Sequence, residues 1–441
     1  MTSSGRSARR PVRSGMTLIE MLVATAATLI LMGALAQVFS VFGSAVSNSR
    51  SMIEQDSRLR SVAWRLRSDL AGATARMLPP LKPEAGEGYF EIIEGPQSDA
   101  AAADGTTTLA GDIDDVLLFT TQSSEAAFIG KAGTLMVESP TAEVAWFLRQ
   151  TGTNSSTAYT PTTYTLFRRQ LLVVGYSGFG EFVTNNTITV TGSNFFDAYF
   201  DAYDVSARLE GTKIIPNTLT DLTRRESRFM HNITGDTTGA GFPYAFPTGT
   251  FQRASPPAGL IFDSAVSSTR VGEDVVLTNV IAFDVRVFDP VAPVSVSGND
   301  AQTPGDPGFA VAVANGAFVD LGNLSTIDFS NPLTAGVAPH FSGYGDTKSQ
   351  LVGSGLTART WDTWSTHYET NGVDDDGDSI IDEGSNGLDN NSNGETDEFT
   401  EKETSPPYPY PLRGIEVRIR CYEPSSRQVR QITVRNTFVP H

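Results

Sequence analysis

Two acidic segments near the C-terminus carry side chains whose types and spacing fit metal chemistry. Residues 371–383 and 386–398 align without a gap, fifteen positions apart. In each, oxygen-bearing side chains occupy relative positions 1, 3, 5 and 9, and position 7 offers a backbone carbonyl, as in loops that wrap Ca²⁺. The candidate ligands are Asp374, Asp376, Asp378, Ile380 and Asp382 in the first repeat, and Asp389, Asn391, Asn393, Glu395 and Asp397 in the second. The pattern predicts calcium binding.

The repeats differ from EF-hands in two ways. Position 12 holds a serine or a threonine instead of a bidentate glutamate, so Glu383 and Glu398 are the candidates for the missing carboxylate. Position 6 needs a sharp turn, which Gly394 permits and Ser379 does not favour. The segments resemble the short DxDxDG repeats of exported calcium-binding proteins. The alternative is a solvated acidic linker, but the fifteen-residue register and the apolar pair Ile380-Ile381 favour calcium.

A second feature is a carboxylate, Glu20, inside an apolar run that continues to about Phe42. A charge inside a bilayer costs roughly 2.5–3.5 kcal/mol, so such residues usually have a function. A basic leader precedes the run and ends at Gly15; its cations are Arg6, Arg9, Arg10 and Arg13. From Met16 to Phe42 some 27 residues, at about 1.5 Å each, span roughly 40 Å, which is enough to cross a bilayer of about 30 Å.

The stretch GMTLIEMLVA, residues 15–24, resembles the class III signal of type IV prepilins and type II secretion pseudopilins. In that family a prepilin peptidase cuts after the glycine and methylates the new N-terminus. The resemblance implies a cut between Gly15 and Met16, which makes Glu20 the fifth residue of the mature chain. It also implies that Glu20 compensates the N-terminal amine of a neighbouring subunit when the helices bundle into a filament.

Three other interpretations of the N-terminus explain less. An ordinary secretory signal has an apolar core of 7–15 residues and a small-residue cleavage site after it, whereas this run is longer. A plain signal anchor explains the arginines by the positive-inside rule but explains neither Glu20 nor the Gly15 junction. A buried core helix of a soluble protein is the third, but this run is long enough to cross a bilayer.

Composition limits the remaining possibilities. The chain has 441 residues and a net charge of −18, which becomes −22 if the arginine-rich leader is removed. Such an acidic chain argues against nucleic-acid binding, which normally needs a basic patch. Cys421 is the single cysteine, so an intramolecular disulfide, the usual cross-link of exported domains, is impossible. We expect it to be a small packed residue rather than a reactive thiol.

The chain after Phe42 continues the helix in amphipathic form. Apolar residues recur at helical spacing and predict one buried stripe: Ile53, Leu59, Val62, Leu66 and Leu70. The other faces carry polar residues, namely Arg58, Arg60, Arg65, Arg67 and Asp69. Pro79-Pro80 cannot continue a helix. We therefore predict one helix from Met16 to about Arg76, with a possible loosening at Gly43-Ser44.

Strand-like runs dominate from residue 81 onward. The predicted strands are 115–120, 143–149, 164–170, one strand made of the runs 275–277 and 280–288, 414–422 and 431–435. The second and third form a hairpin, and the last two alternate at period two around a turn at Pro424. The sequence predicts an α+β fold in which a long N-terminal helix packs on an antiparallel sheet.

This order of elements resembles the J-type minor pseudopilins of type II secretion. In those proteins a strand with paired arginines, here Arg168-Arg169, precedes a strand like NVIAFDVRVFD, and the chain ends in a proline-led strand, here PLRGIEVRIR. The resemblance does not extend to about 175–270 and 290–410, which we interpret as insertions. Structureless loops of that length are uncommon in a compact domain, so each should hold short strands.

The sequence contains no recognisable catalytic motif. None of the four histidines has the helical i, i+4 partner of a zinc site, and no G-x-S-x-G, Walker or dinucleotide motif occurs. The acidic repeats could imitate the carboxylate pair of a glycosidase, but their register favours metal. We therefore expect a protein that is not an enzyme.

These observations combine into one hypothesis: a minor pseudopilin of an inner-membrane, single-pass type. Its parts are a cleaved leader (1–15), a membrane and filament helix (16–42), an amphipathic helix (43–78) and a periplasmic β-rich domain (79–441) that includes the calcium repeats (371–398). The expected partners are prepilin peptidase, other pseudopilins, the inner membrane and Ca²⁺, with no nucleic acid. A minor type IV pilin and an anchored, calcium-dependent surface binding module remain alternatives.

Overall fold

The computed structural model describes most of the helix and the sheet. The described residues are 15–94, 111–149, 161–174, 199, 202–210, 213–229, 270, 272–298, 300–304, 306, 309, 313–323, 339–342, 360–375, 378–398, 401–403 and 408–438. The chain divides into two compact units, Met1–Glu54 and Gln55–His441, and the fold is the predicted α+β fold.

The described part of the first unit is mainly the N-terminal part of helix α1, Leu18–Ala71. Its apolar side chains are exposed: Leu22, Val23, Leu29, Ile30, Leu31, Phe39 and Phe42. An 18-residue window has a mean hydropathy of 2.1 with no residue buried, so α1 is long and apolar enough to span a membrane. Thr25 and Thr28 donate their hydroxyls to the carbonyls of Met21 and Ala24 (3.0 and 2.7 Å), which satisfies these polar groups inside the helix.

The rest of α1 belongs to the second unit. Leu59, Val62, Leu66 and Leu70 are buried there, as predicted, but Ile53 is 70 % exposed, so its assignment to the buried stripe was wrong. The helix is continuous at Gly43-Ser44 and ends at Ala71, earlier than the predicted Arg76. The cause is tertiary: Gln122 donates its amide to the Gly72 carbonyl (2.8 Å), and a Cβ at Gly72 would lie 2.2 Å from the Gln122 carbonyl oxygen.

Fourteen strands follow α1 within the described residues. They are β1 Phe90–Ile93, β2 Val116–Gln122, β3 Phe128–Ala132, β4 Leu135–Ser139, β5 Thr141–Arg149, β6 Tyr164–Leu172, β7 Ala207–Glu210, β8 Lys213–Pro216, β9 Val275–Ser297, β10 Asp300–Gln302, β11 Ala314–Val319, β12 Thr360–Asp362, β13 Gly414–Glu423 and β14 Gln428–Thr437. The 3₁₀ helices are Pro83–Ala85, Asp221–Thr223, Arg225–Ser227, Thr366–Glu369 and Glu383–Ser385.

The main sheet is antiparallel and has the order β12-β1-β2-β5-β6-β9-β13-β14, with β10 and β11 also paired to β9; β3–β4 and β7–β8 are separate hairpins. The predicted hairpins β5–β6 and β13–β14 are confirmed. The runs 275–277 and 280–288 form one strand, as predicted, and it continues to Ser297; Asn279, between the two runs, has φ 58°. Short strands do occur in both predicted insertions.

Both faces of the sheet are buried. One face packs on α1 through side chains such as Leu117, Trp146 and Val417. The opposite face, including Leu118 and Phe147, is covered by residues of the 175–270 stretch, among them Tyr199, Tyr203, Val205, Leu222 and Phe229. This part of the supposed insertion is therefore a structural layer, which explains why β2 and β5 are apolar at consecutive positions.

A buried charge network joins this cover to the edge of the sheet. Arg225 and Arg228 each donate to Asp362 of β12 at 2.7 Å, and Arg228 also lies 3.1 Å from Glu91 of β1. The Arg228 guanidinium stacks 4.2 Å from the centre of the Tyr89 ring. Because these groups are fully buried, the pairing compensates their desolvation.

The paired arginines of β6 serve opposite faces. Arg168 grips Asp69 of α1 with Nε and Nη2 at 2.6 and 2.8 Å, and Trp146 donates Nε1 to the same carboxylate at 3.0 Å. Arg169 pairs with Asp204 and Asp274, each at 3.2 Å. Asp69 is 2 % exposed, so its prediction as a residue of the polar faces was wrong. The Arg168 guanidinium and the Trp146 indole supply the hydrogen bonds that its buried carboxylate needs.

Cys421 is packed as predicted. It lies in β13, is 2 % exposed, and donates its thiol to the Thr278 carbonyl at 3.5 Å. Burial raises the pKa of the Cys421 thiol to about 11, so the nucleophilic thiolate is suppressed at neutral pH.

We expect Asp69→Asn to lower the free energy of unfolding by about 3–5 kcal/mol, because it leaves the Arg168 guanidinium buried without its counter-charge. Urea unfolding of the detergent-solubilised chain measures this. The control is Asp56→Asn, which removes a half-exposed carboxylate 3.9 Å from Arg430 and should change stability by less than about 0.5 kcal/mol. Equal effects of the two substitutions would contradict the assignment.

Candidate functional site

The N-terminal segment that carries the candidate processing site begins with Gly15 and Met16, both exposed and both before the helix. Thr17 donates its amide and its hydroxyl to Oε2 of Glu20 (2.8 and 3.1 Å), and Glu20 donates its amide to the Thr17 hydroxyl at 3.3 Å. This reciprocal arrangement is a capping box, in which a threonine and the glutamate three residues on satisfy the first amides of a helix.

The capping box gives Glu20 a role that the sequence interpretation missed, although the signal T-x-x-E was present in Thr17-Leu18-Ile19-Glu20. All members of the box lie after Gly15, so a cut between Gly15 and Met16 leaves it intact. The four leader arginines lie outside the described residues. The geometry thus shows an accessible junction directly before a capped, apolar helix.

The acidic repeats lie between β12 and β13, and their backbones repeat as their sequences do. Asp382 accepts the amide of Gly372 (3.1 Å), and Asp397 accepts that of Gly387 (2.8 Å). Equivalent bonds run from Ser379 to Asp374 (3.0 Å) and from Gly394 to Asp389 (2.8 Å). A third pair runs from Ile380 to Asp378 and from Glu395 to Asn393, both at 2.8 Å. The fifteen-residue register is therefore structural, which argues against an unstructured acidic linker.

The turn at position 6 is left-handed in both repeats. Gly394 has φ 97° and Ser379 has φ 78°, so Ser379 adopts the turn that its side chain was expected to disfavour. The Asp374 carboxylate accepts the Ser379 amide, which offsets part of the strain of this conformation. At position 6 the first repeat consequently has the same left-handed turn as the second without the glycine.

The predicted ligands differ in their surroundings. Asp374 and Asp382 are half-buried and Glu383 is buried, whereas Asp378 and most of the second repeat are exposed; Asp376 lies outside the described residues. Glu398 accepts the side-chain amides of Asn391 and Asn393, both at 2.6 Å. The first repeat thus has the more buried, more strongly charged set.

Three further carboxylates, Glu369, Glu401 and Glu403, accept backbone amides in or next to the repeats. The sequence analysis did not identify them. Glu403 accepts the amide of Asp375, and Glu401 accepts those of Asn390 and Asn391; both glutamates are at most 1 % exposed. Glu369 accepts the amide of Glu403 at 3.1 Å. Burial and a hydrogen bond with the Glu383 carboxyl raise the pKa of Glu403 to about 8. These contacts link residues that are far apart in the sequence, namely 369, 375, 390–391 and 401–403, so no local spacing predicts them.

Comparison with known proteins gives one match. The family model described as the prokaryotic N-terminal methylation motif matches residues 10–36. No curated protein and no solved structure matches the chain. The chain therefore carries a type IV prepilin-like N-terminal signal, and this motif implies processing by prepilin peptidase and assembly with other pilins.

Proposed function

We propose that this chain is a minor pseudopilin-like structural subunit of a type II secretion pseudopilus and not an enzyme. The observation that carries the proposal is the methylation motif at residues 10–36, placed on an exposed apolar helix that continues into an antiparallel β domain. The leader arginines favour a cytoplasmic leader, which puts the β domain in the periplasm. The strands whose sequences resemble J-type minor pseudopilins, β6, β9 and β13, are neighbours in the main sheet and are followed by β14. This arrangement supports the J-like subtype.

Glu20 has two competing partners in this account. Within the chain, both bonds from Thr17 end on Oε2, and among the described residues Oε1 accepts no further hydrogen bond. In the filament, the Glu20 carboxylate would accept a hydrogen bond from the methylated N-terminal amine of Met16 in a neighbouring subunit. An uncompensated carboxylate in apolar surroundings is costly, so this pairing favours assembly over an isolated subunit in the membrane.

A minor type IV pilin is the alternative that shares the whole N-terminus. The two differ in their partners: a pseudopilin co-purifies with the other pseudopilins of a secretion system, and a pilin co-purifies with pilus subunits. An anchored calcium-dependent binding module, which the ordered acidic repeats favour, would co-purify with neither.

We expect Glu20→Ala to leave membrane insertion intact and to lower incorporation into the filament at least tenfold. The charge that compensates the neighbouring amine is lost, while the apolar run becomes more hydrophobic. Membrane fractionation and quantification of sheared filaments give the two readouts. Glu54→Ala, which removes an exposed carboxylate of the same helix beyond the apolar run, is the matched control. Incorporation of Glu20→Ala at the control level would contradict the assignment.

We also propose that the repeats bind Ca²⁺ and that the ion stabilises the β domain. Carboxylates, an amide pair and backbone carbonyls form an oxygen-only donor set, which suits a hard cation. The left-handed turns and the buried Glu401 and Glu403 hold these loops in place. In a chain with one cysteine, an ion that binds the folded state supplies stability that a disulfide cannot.

Millimolar calcium should raise the melting temperature of the detergent-solubilised chain, and EDTA should reverse the effect. The double variant Asp382→Asn, Asp397→Asn removes position 9 from both repeats and should lose at least half of the calcium-dependent shift. Glu125→Gln, an exposed carboxylate outside the repeats, should retain all of it. Melting curves that EDTA does not change would reject calcium binding.

A further inference from the structure

A separate group of buried carboxylates lies inside the main sheet. Glu94 directly follows β1, Asp112 and Asp115 precede β2, Asp284 lies in β9, and Asp320 directly follows β11. All five are at most 5 % exposed. None belongs to the acidic repeats, and no sequence motif marks them.

The backbone brings these segments together beside β9. Gly111 donates its amide to the Ile281 carbonyl (3.0 Å), and Phe283 donates its amide to the Asp112 carbonyl (2.8 Å). Segment 111–115 therefore continues the pairing of β9 beyond Val280, where β6 stops. The result is two overlapping groups, Glu94 with Asp112 and Asp320, and Asp112 with Asp114 and Asp115. In each group the ligand oxygens lie within 4.8 Å of one another.

Two arginines among the described residues pair with carboxylates of this region. Arg286 contacts Asp284, Asp306 and Asp320 at 2.9–3.0 Å, and Arg418 lies 3.8 Å from Asp284. Among the described residues, no arginine or lysine pairs with Glu94 or Asp115. Counted over the described residues, Glu94 and Asp115 therefore add negative charge that no guanidinium group compensates.

Glu94 is the decisive residue. It is 95 % buried, and neither of its carboxylate oxygens accepts a hydrogen bond from the described residues. One oxygen of Asp115 accepts the Val285 amide at 2.6 Å, and the other accepts no hydrogen bond from the part of the chain that the structure describes. Burial, and then the charge of Asp115, raise the pKa of Glu94 well above its usual range. A buried carboxylate without a donor is costly, so something must compensate it.

We propose that Glu94, Asp112, Asp115 and Asp320 bind a calcium ion in the main sheet, separate from the repeats. The donors are all oxygens, without histidine or cysteine, which excludes a typical zinc site and suits Ca²⁺. Two oxygens on opposite sides of a calcium ion, each at about 2.4 Å, are about 4.8 Å apart. The ligand oxygens of Glu94, Asp112 and Asp320 lie within this distance of one another, and Asp115 shares Asp112 with them through the second group. The ion would join β1, the start of β2 and the end of β11 across β9.

Calorimetric titration of the full-length, detergent-solubilised chain with calcium chloride tests this site. The parent for these variants is the double variant Asp382→Asn, Asp397→Asn, in which the acidic repeats contribute less to the calcium bound per chain. Adding Glu94→Gln should reduce the bound calcium by one ion per chain, and Asp115→Asn should give the same loss while keeping an oxygen for the Val285 amide. Glu84→Gln, an exposed carboxylate near β1, should cause no loss.

Melting in EDTA separates lost binding from lost folding. In EDTA, Glu94→Gln should melt at or above the melting temperature of its parent, because the amide removes one buried negative charge. Added calcium should then raise the melting temperature of Glu94→Gln less than that of the parent. Unchanged calcium stoichiometry in both Glu94→Gln and Asp115→Asn would overturn the proposal and show that protons compensate the cluster. Absence of any bound ion in the parent would overturn it equally. Neither result bears on the pseudopilin assignment.

Discussion

The buried ion pair between Asp69 and Arg168 fixes how the second half of α1 lies on the sheet. Because the guanidinium grips the carboxylate with two bonds and Trp146 adds a third, only one rotation and one depth of the helix satisfy all three groups. Apolar contacts such as those of Leu66 tolerate small displacements, whereas a bidentate pair does not. Arg169, the next residue of the same strand, makes the corresponding contacts on the other face. The two arginines therefore join the three layers of the domain, namely the helix, the sheet and the cover formed by residues 199, 202–210 and 213–229.

The same physical problem, a buried charge that needs a partner, recurs throughout the chain. Arg225 and Arg228 are paired with Asp362 and Glu91, whereas Glu94 and Glu403 lie in surroundings of like charge. Glu20 is the extreme case, since a carboxylate in an apolar helix has little to stabilise it beyond its capping box. In our account its full compensation comes from a neighbouring subunit. A chain with a single cysteine thus relies on ion pairs and, as we propose, on bound cations and on assembly.

The sequence was most informative where the physics is local. Helical periodicity predicted the buried stripe from Leu59 onward, and alternation predicted β13 and β14, because each pattern reports which face of one element is buried. The sequence predictions failed where contacts with residues distant in the chain determine the local structure. The helix ends at Ala71 because Gln122 pairs with Gly72, Asp69 is buried because β6 supplies Arg168, and Ser379 takes a left-handed turn because Asp374 stabilises it. In the candidate sites, the spacing gave the repeats and Glu20, but Glu401, Glu403 and the Glu94 cluster are assembled from separate segments that no local motif connects.

The central claim is that the prepilin-like signal is used, so that the mature chain starts at the residue that places Glu20 next to a neighbouring N-terminus. N-terminal sequencing and intact mass of the chain purified from its native membrane test this most directly. The account predicts that the mature protein begins with N-methylated Met16 and has lost the fifteen residues before it. A chain that still begins at Met1, or one that begins with an unmodified residue well beyond Met16, would contradict it.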